Sequence, residues 1–92
     1  MGFTMREQTV AVVNPLGLHA RPAAQLVKLA SNFTSEIQLV KDGVPVNGKS
    51  IMGVMILAAE CGSTLTVRAE GADAEAAVAA LVELVASGFG EM

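Results

Sequence analysis

The sequence predicts an α/β (α+β) fold, a two-layer open-faced sandwich with the element order β-α-β-β-α-β-α. Short segments that alternate between apolar and polar residues indicate strands with one wet face and one covered face. Between and after them lie segments whose apolar residues recur at helical spacing. Ninety-two residues are enough to bury one small core, so we expect a single domain over residues 1–92.

The first two elements are a strand and a helix. Residues from about Arg6 to Val13 alternate weakly and predict the strand. We expect residues 1–5 to be a disordered start, with Met5 as an alternative initiation site. Pro22 is compatible with a first helical turn, and an apolar period of 3.6 follows it, so a helix is predicted from about Ala20 to Ser31.

The next three elements are a hairpin and a short helix. The alternating segment from Glu36 to Val40 predicts a strand, and Asp42-Gly43 is a strong two-residue turn signal. The short strand that follows, Val44 to Val46, contains a proline and is therefore expected at a sheet edge. Ser50 is a good N-cap for a helix ending near Leu57.

A fourth strand and a last helix follow. The segment from Thr64 to Arg68 alternates again, and Asp73 is expected to cap the last helix. Gly88 followed by apolar Phe89 predicts the stop of that helix. The inner face of the helix is expected to consist of Ala77, Val78, Leu81, Leu84 and Val85.

The most informative stretch runs from Asn14 to Ala24 and contains the only histidine of the chain, His19. A proline and a glycine mark a loop, so His19 falls at the helix start, where the N–H groups of Ala20 and Arg21 have no intrahelical partner. Free amides, the helix dipole and the Arg21 guanidinium all favour an anion there. We therefore interpret His19 and Arg21 as catalytic residues, with His19 as a phosphoryl-accepting nucleophile, and Ala20 and Arg21 as phosphate-binding residues.

Two motifs resemble those of the HPr family, the histidine-containing phosphocarriers of the bacterial phosphoenolpyruvate-dependent phosphotransferase system. Residues 17–23, Gly-Leu-His-Ala-Arg-Pro-Ala, are similar to its active-site motif. Residues 48–55, Gly-Lys-Ser-Ile-Met-Gly-Val-Met, resemble its regulatory serine segment, and similarity extends from about Arg6 to Phe89. The resemblance implies a four-stranded antiparallel sheet in the order first-fourth-second-third, covered on one face by helices. It also implies that the phosphoryl group is carried on Nδ1 of His19.

The resemblance further implies the function. His19 would accept a phosphoryl group from phosphorylated enzyme I and pass it to IIA domains, for sugar uptake, for regulation, or for both. Such a protein is a carrier with a covalent phosphohistidine rather than a conventional enzyme, and it needs no cofactor. Two alternatives stay open. One is the nitrogen-type regulatory paralogue, which residues 55–59 and 87–91 resemble. The other is a binding-only allosteric regulator of the same fold, against which the presence of His19, Arg21 and Pro22 argues.

Ser50 and the apolar residues after it form the second predicted site. Ser50 fits both an N-cap and, as the resemblance implies, a regulatory phosphorylation site for an HPr kinase/phosphorylase. Arg21, Lys28 and Lys49 are expected to form a positive rim. By resemblance, the partner-docking face consists of Ala20, Ala24 and Lys28 on the first helix and Ile51, Met52 and Met55 on the short one.

Composition excludes several other classes. A net charge of −3 and only three aromatic residues argue against nucleic-acid binding, and no apolar run reaches the ~20 residues of a membrane span, so we expect no membrane insertion. No secretory signal is recognisable. One histidine and one distant cysteine make no metal site. Cys61 cannot form an internal disulfide and is expected to be buried, and we expect a cytoplasmic monomer.

Overall fold

The computed structural model describes residues 4–91, in which helices cover one face of a four-stranded antiparallel sheet. The element order is β-α-β-β-α-β-α, as predicted from the sequence. The strands are β1 (Met5–Ala11), β2 (Glu36–Lys41), β3 (Val44–Asn47) and β4 (Thr64–Glu70). The helices are α1 (Ala20–Ala30), α2 (Ile51–Leu57) and α3 (Ala74–Ala86), with a 3-10 turn at Gly88–Gly90.

The strands lie in the order β1-β4-β2-β3, which confirms the arrangement implied by the resemblance. β4 is central and pairs with β1 on one side and with β2 on the other. Among the strands of residues 4–91, β3 pairs only with β2, so Pro45 lies in an edge strand as predicted. Asp42 and Gly43 adopt φ of 52° and 79°, the two positive values that a tight hairpin turn of type I′ requires.

The two faces of the sheet differ in polarity. Alternate residues of β2 and β4 point into the core, and they are Ile37, Leu39, Leu65, Val67 and Ala69. On the outer face, Arg68 Nε donates to Glu7 Oε1 at 2.9 Å and Arg68 Nη1 lies 3.5 Å from Gln38 Oε1. The apolar faces of α1 and α3 cover the inner side, with Leu26 and Leu81 fully buried. The half-polar strands of the sequence therefore predicted the two layers correctly.

The start of the chain differs from the prediction. Of the predicted disordered start, residues 1–3 lie outside the described residues, whereas Met5 is the first residue of β1. Backbone pairing anchors this end, because Met5 pairs with Glu70 and the Thr4 carbonyl accepts from the Gly71 amide at 2.9 Å. β1 also ends earlier than predicted. Val12 lies beyond it, yet its side chain is buried.

Asp73 stands at the N-cap position of α3, but its carboxylate does not cap the helix, and that part of the prediction is wrong. The carboxylate instead accepts hydrogen bonds from the Thr34 amide at 2.8 Å, the Ser35 amide at 2.9 Å and the Ser35 hydroxyl. The hydrogen bond from the Ser35 hydroxyl, followed by that from the Thr34 amide, lowers the pKa of Asp73 from 3.8 to about 2. Asp73 thus joins the start of α3 to the residues preceding β2.

The residues after α3 turn toward the loop that precedes α1, where Glu91 contacts Asn14 and His19. Gly88 adopts a φ of 70° immediately after Ser87, and Phe89 is 4% exposed, as the predicted helix stop requires. The Glu91 amide donates to the Gly88 carbonyl at 3.0 Å, which completes a tight turn. Leu84, predicted on the inner face of α3, is only partly buried at the edge of the core. None of the helices in residues 4–91 is long and apolar enough to cross a membrane.

Candidate functional site

The loop between β1 and α1 is fixed by close backbone contacts. The Gly17 amide donates to the Asn14 carbonyl at 3.0 Å, and the Leu18 amide donates to the Ala59 carbonyl at 2.9 Å. Gly17 has a φ of 65°, and a Cβ on it would overlap the Ala59 carbonyl oxygen. Only glycine can adopt this positive φ and approach the Ala59 carbonyl so closely without strain. The loop is therefore held against the connection between α2 and β4, and it presents His19 from a rigid base.

His19 is the N-cap residue of α1, at the helix start where the sequence predicted it. Its carbonyl accepts from the Ala23 amide at 3.0 Å, but its imidazole makes no capping hydrogen bond. The amides of Ala20 and Arg21 belong to the first turn, where no intrahelical acceptor exists, and no other acceptor in residues 4–91 reaches them. The first turn contains no acidic residue. The N-terminal end of α1 therefore offers an anion two free backbone N–H donors and the positive end of the helix dipole.

The His19 imidazole contacts a carboxylate that sequence analysis did not identify. His19 Nε2 lies 2.8 Å from Glu91 Oε2, with side-chain exposures of 35% and 19%. Glu91 Oε1 accepts from Asn14 Nδ2 at 2.9 Å, and the same amide group donates to the Gly17 carbonyl at 2.7 Å. No local pattern could have revealed this cluster, because Asn14 and Glu91 are 77 positions apart in the sequence.

His19 and Arg21 line two neighbouring cavities. His19 opens onto a cavity of about 640 Å³, together with Met55 and the residues from Ala58 to Cys61. Arg21 lines a groove of about 420 Å³ with Phe89 and Glu91, and the two cavities share Pro15 and Leu16. The Arg21 side chain is exposed and forms no salt bridge with any residue in the described range 4–91. It is therefore free to move toward an anion at the start of α1.

The predicted docking positions are all exposed, and they lie on two helices that pack side by side. They are Ala20, Ala24 and Lys28 on α1, and Ile51, Met52 and Met55 on α2. Sequence analysis missed two further apolar side chains, Ile56 and Leu16, which are 70% and 75% exposed. Leu16 lies in a loop without periodicity, so only its apolar character next to Gly17 could have indicated it.

Ser50 is the N-cap of α2, as predicted, and its Oγ accepts from the Gly53 amide at 3.1 Å. The predicted positive rim is smaller than expected. Lys49 Nζ donates to the Phe33 carbonyl at 2.6 Å and is not free at the surface.

Cys61 was predicted to be buried, but it is exposed. It lies in the turn before β4, where its Sγ donates to the Val13 carbonyl at 3.7 Å, and it is one of the residues that line the His19 cavity.

Residues 6–87 match the family described as the PTS HPr component phosphorylation site. The chain belongs to the HPr family. The match covers every strand and helix described above apart from the first residue of β1. An HPr chain is a phosphocarrier of the phosphotransferase system, and this general role follows from membership.

Known HPr proteins match over nearly the whole chain. Phosphocarrier protein HPr of Cupriavidus necator is 47% identical over 87 residues, which cover 95% of this chain and 98% of that protein. HPr-like protein Crh of Halalkalibacterium halodurans is 51% identical over 81 residues, covering 88% and 96%. Among solved structures, HPr-C-His from Thermoanaerobacter tengcongensis has a TM-score of 0.91 and 49% identity, covering 95% and 98%.

Some solved structures related to this HPr chain are dimers. An HPr dimer from Thermoanaerobacter tengcongensis has a TM-score of 0.75 and 50% identity, covering 94% of this chain and 99% of that one. Relatives at this level of identity therefore include a dimer, and the expected monomer is not confirmed. No group of three or more His, Cys, Asp or Glu side chains that could hold a metal ion occurs within the described part of the chain.

Proposed function

We propose that His19 accepts a phosphoryl group from phosphorylated enzyme I and passes it to IIA proteins or domains. The observation that carries the proposal is the placement of His19 at the N-cap of α1, beside the free amides of Ala20 and Arg21. A phosphoryl group on the imidazole would lie next to the positive end of α1, where anions are stabilised. The exposed Arg21 guanidinium adds a charged donor for the phosphoryl oxygens.

The transfer proceeds by nucleophilic catalysis without a cofactor. An unprotonated ring nitrogen of His19 attacks phosphorus in line, and the reverse attack by an acceptor releases the group again. Two of the docking positions lie next to this histidine, because Ala20 follows it in the chain and Met55 lines the same cavity. We expect small interfaces and rapid dissociation, because a carrier must leave each partner before it meets the next.

The test is the intact mass of the protein after incubation with phosphoenolpyruvate and enzyme I, for wild type and His19→Ala. We expect wild type to gain one acid-labile phosphoryl group and His19→Ala to gain none. Acid lability distinguishes phosphohistidine from phosphoserine. No gain in wild type, with an enzyme I preparation that phosphorylates another HPr, would reject the relay and favour the binding-only regulator.

The IIA protein that accepts the phosphoryl group distinguishes a role in sugar uptake from a nitrogen-type regulatory role. Sugar-type and nitrogen-type IIA proteins can each be incubated with the phosphorylated chain, and the mass of both partners followed with time. Transfer to the sugar-type acceptor supports a role in sugar uptake. Transfer only to the nitrogen-type acceptor identifies the regulatory paralogue. We propose that this phosphoryl transfer takes place in the cytoplasm. We also propose that the carrier works as a monomer, and sedimentation equilibrium measures its oligomeric state directly.

We also propose Ser50 as a regulatory phosphorylation site for an HPr kinase/phosphorylase. Its hydroxyl lies at the start of α2, and the neighbouring Ile51 and Met52 are 47% and 72% exposed. A phosphate there would add negative charge to an apolar surface that the proposed partners must contact. Kinase and ATP should add one phosphoryl group to wild type and His19→Ala, and none to Ser50→Ala. Addition to Ser50→Ala would place the modification elsewhere.

A further inference from the structure

We propose that Glu91 is a positioning residue for phosphoryl acceptance, whose carboxylate holds the His19 imidazole in the tautomer that leaves Nδ1 unprotonated. Asn14 holds the carboxylate in turn. This inference rests on the proposed function of His19, because it concerns how the same imidazole is made ready to attack.

The tautomer follows from the contact between the two side chains. Glu91 Oε2 lies 2.8 Å from His19 Nε2, which is a hydrogen-bond distance. An ionised carboxylate can only accept hydrogen bonds, so the ring nitrogen that faces it must carry the hydrogen. In a neutral imidazole the other nitrogen then has the free lone pair. The nucleophilic nitrogen of His19 is therefore Nδ1.

Buried groups hold the carboxylate in place. Glu91 Oε1 accepts from Asn14 Nδ2 at 2.9 Å, and Asn14 is fully buried and also bound to the Gly17 carbonyl at 2.7 Å. The backbone of Glu91 is held as well, because its amide donates to the Gly88 carbonyl at 3.0 Å and the adjacent Phe89 turn is anchored in the core. Glu91 is thus a fixed partner of the ring and not a free surface side chain.

This arrangement matches what the transfer step requires. The Nδ1 lone pair forms a bond to phosphorus while the donor's N–P bond breaks, and that electron pair returns to the donor's ring nitrogen. No proton has to leave Nδ1, because the ring hydrogen is already on Nε2. The positive charge that develops on the imidazole is shared with Nε2–H, which faces the Glu91 carboxylate. A carboxylate in this place stabilises a forming imidazolium and fixes its orientation.

The experiment compares Glu91→Ala and Glu91→Gln with Glu83→Ala, which removes the same group from an exposed position on α3. Phosphorylation by enzyme I is followed as a function of carrier concentration. We expect kcat to fall by about 10- to 100-fold in Glu91→Ala with KM unchanged, and no change in Glu83→Ala. Glu91→Gln keeps the shape without the charge, and its kcat should lie between those of wild type and Glu91→Ala.

Nuclear magnetic resonance provides a readout that a merely structural role would not change. The chain has one histidine, so its ring nitrogen signals are assigned without ambiguity. We expect a slowly exchanging Nε2–H proton in wild type and Glu83→Ala, and its loss in Glu91→Ala. These spectra also show whether each variant is folded.

The outcomes separate the two proposals. If wild type accepts no phosphoryl group on His19, the proposed function fails. If wild type accepts the group but Glu91→Ala keeps the wild-type kcat and the Nε2–H signal, only the role of Glu91 is overturned. A higher kcat in Glu91→Ala also overturns it, because the contact would then restrain the imidazole instead of preparing it.

Discussion

At the scale of single residues, the position of His19 was predictable from the sequence and its contact with Glu91 was not. A loop signal followed by a proline-containing helix start places His19 and Arg21 from local sequence alone. The contact between His19 and Glu91 joins residues 72 positions apart, so it depends on the completed fold. Cys61 was misassigned for a related reason, because a cysteine's burial depends on which side of a turn faces the core.

Arg21→Gln should slow phosphoryl acceptance by His19 about tenfold or more, because it removes a charged donor next to the free amides of α1. The measurement is the rate of mass gain under enzyme I at saturating carrier concentration. Arg6→Gln, the same change on β1, is the control and should retain the wild-type rate. Equal rates in wild type and Arg21→Gln would remove Arg21 from the phosphate-binding residues.

Gly17→Ala should lower the free energy of unfolding by more than about 1 kcal/mol. The new methyl group would meet the Ala59 carbonyl in a backbone conformation with a φ of 65°. Gly62→Ala is a matched control, since Gly62 also has a positive φ, 92°, but its Cβ would meet no atom within 4 Å. Urea denaturation measures both variants. If both variants lose the same free energy of unfolding, the close approach of the loop to Ala59 does not contribute to the cost of Gly17→Ala.

At the scale of secondary-structure elements, most of the fold was predictable because each segment has its own pattern. The Asp42-Gly43 turn, the Ser50 cap and the Gly88 stop are local signals, and the structure contains all three. Asp73 is an example of a contact that local patterns cannot predict. A cap residue was predicted correctly by position, but its carboxylate binds amides 38 and 39 residues away, which local sequence does not show.

Asp73 should make stability depend on pH in a narrow acidic range. Its pKa is lowered to about 2, mainly by the Ser35 hydroxyl, so the ionised form is preferred in the folded state. The stabilisation is complete above the ordinary value of 3.8 and is lost as the pH falls toward about 2. Asp73→Asn should therefore be less stable than wild type at pH 5, with a difference that shrinks toward pH 2.

Urea midpoints of wild type and Asp73→Asn, measured from pH 5 to pH 2, check this dependence. Asp42→Asn serves as the control, because asparagine tolerates the positive φ of that turn and the side chain is exposed. A difference between wild type and Asp73→Asn that stays constant across the range would contradict the role of the carboxylate charge.

At the scale of the whole molecule, the sheet order predicts where the structure opens most readily. β4 is hydrogen-bonded on both sides, and its inward side chains Leu65, Val67 and Ala69 are fully buried. β3 is a four-residue edge strand containing Pro45, and three of its residues are exposed. Hydrogen exchange under native conditions should be slowest in β4 and fastest in β3. Protection of β3 equal to that of β4 would contradict this account.

The position of β4 also has a consequence for the order of biosynthesis. β1 leaves the ribosome before β4, and β4, its partner strand in residues 4–91, ends 59 residues after β1, at Glu70. At synthesis rates of about 5–20 residues per second, β1 has no partner for roughly 3–12 s. The contact between His19 and Glu91 spans more of the chain, 72 positions, so His19 waits still longer for its partner. A nascent chain therefore exposes its histidine long before the surroundings of that histidine exist, and the site is complete only when Glu91 has been synthesised.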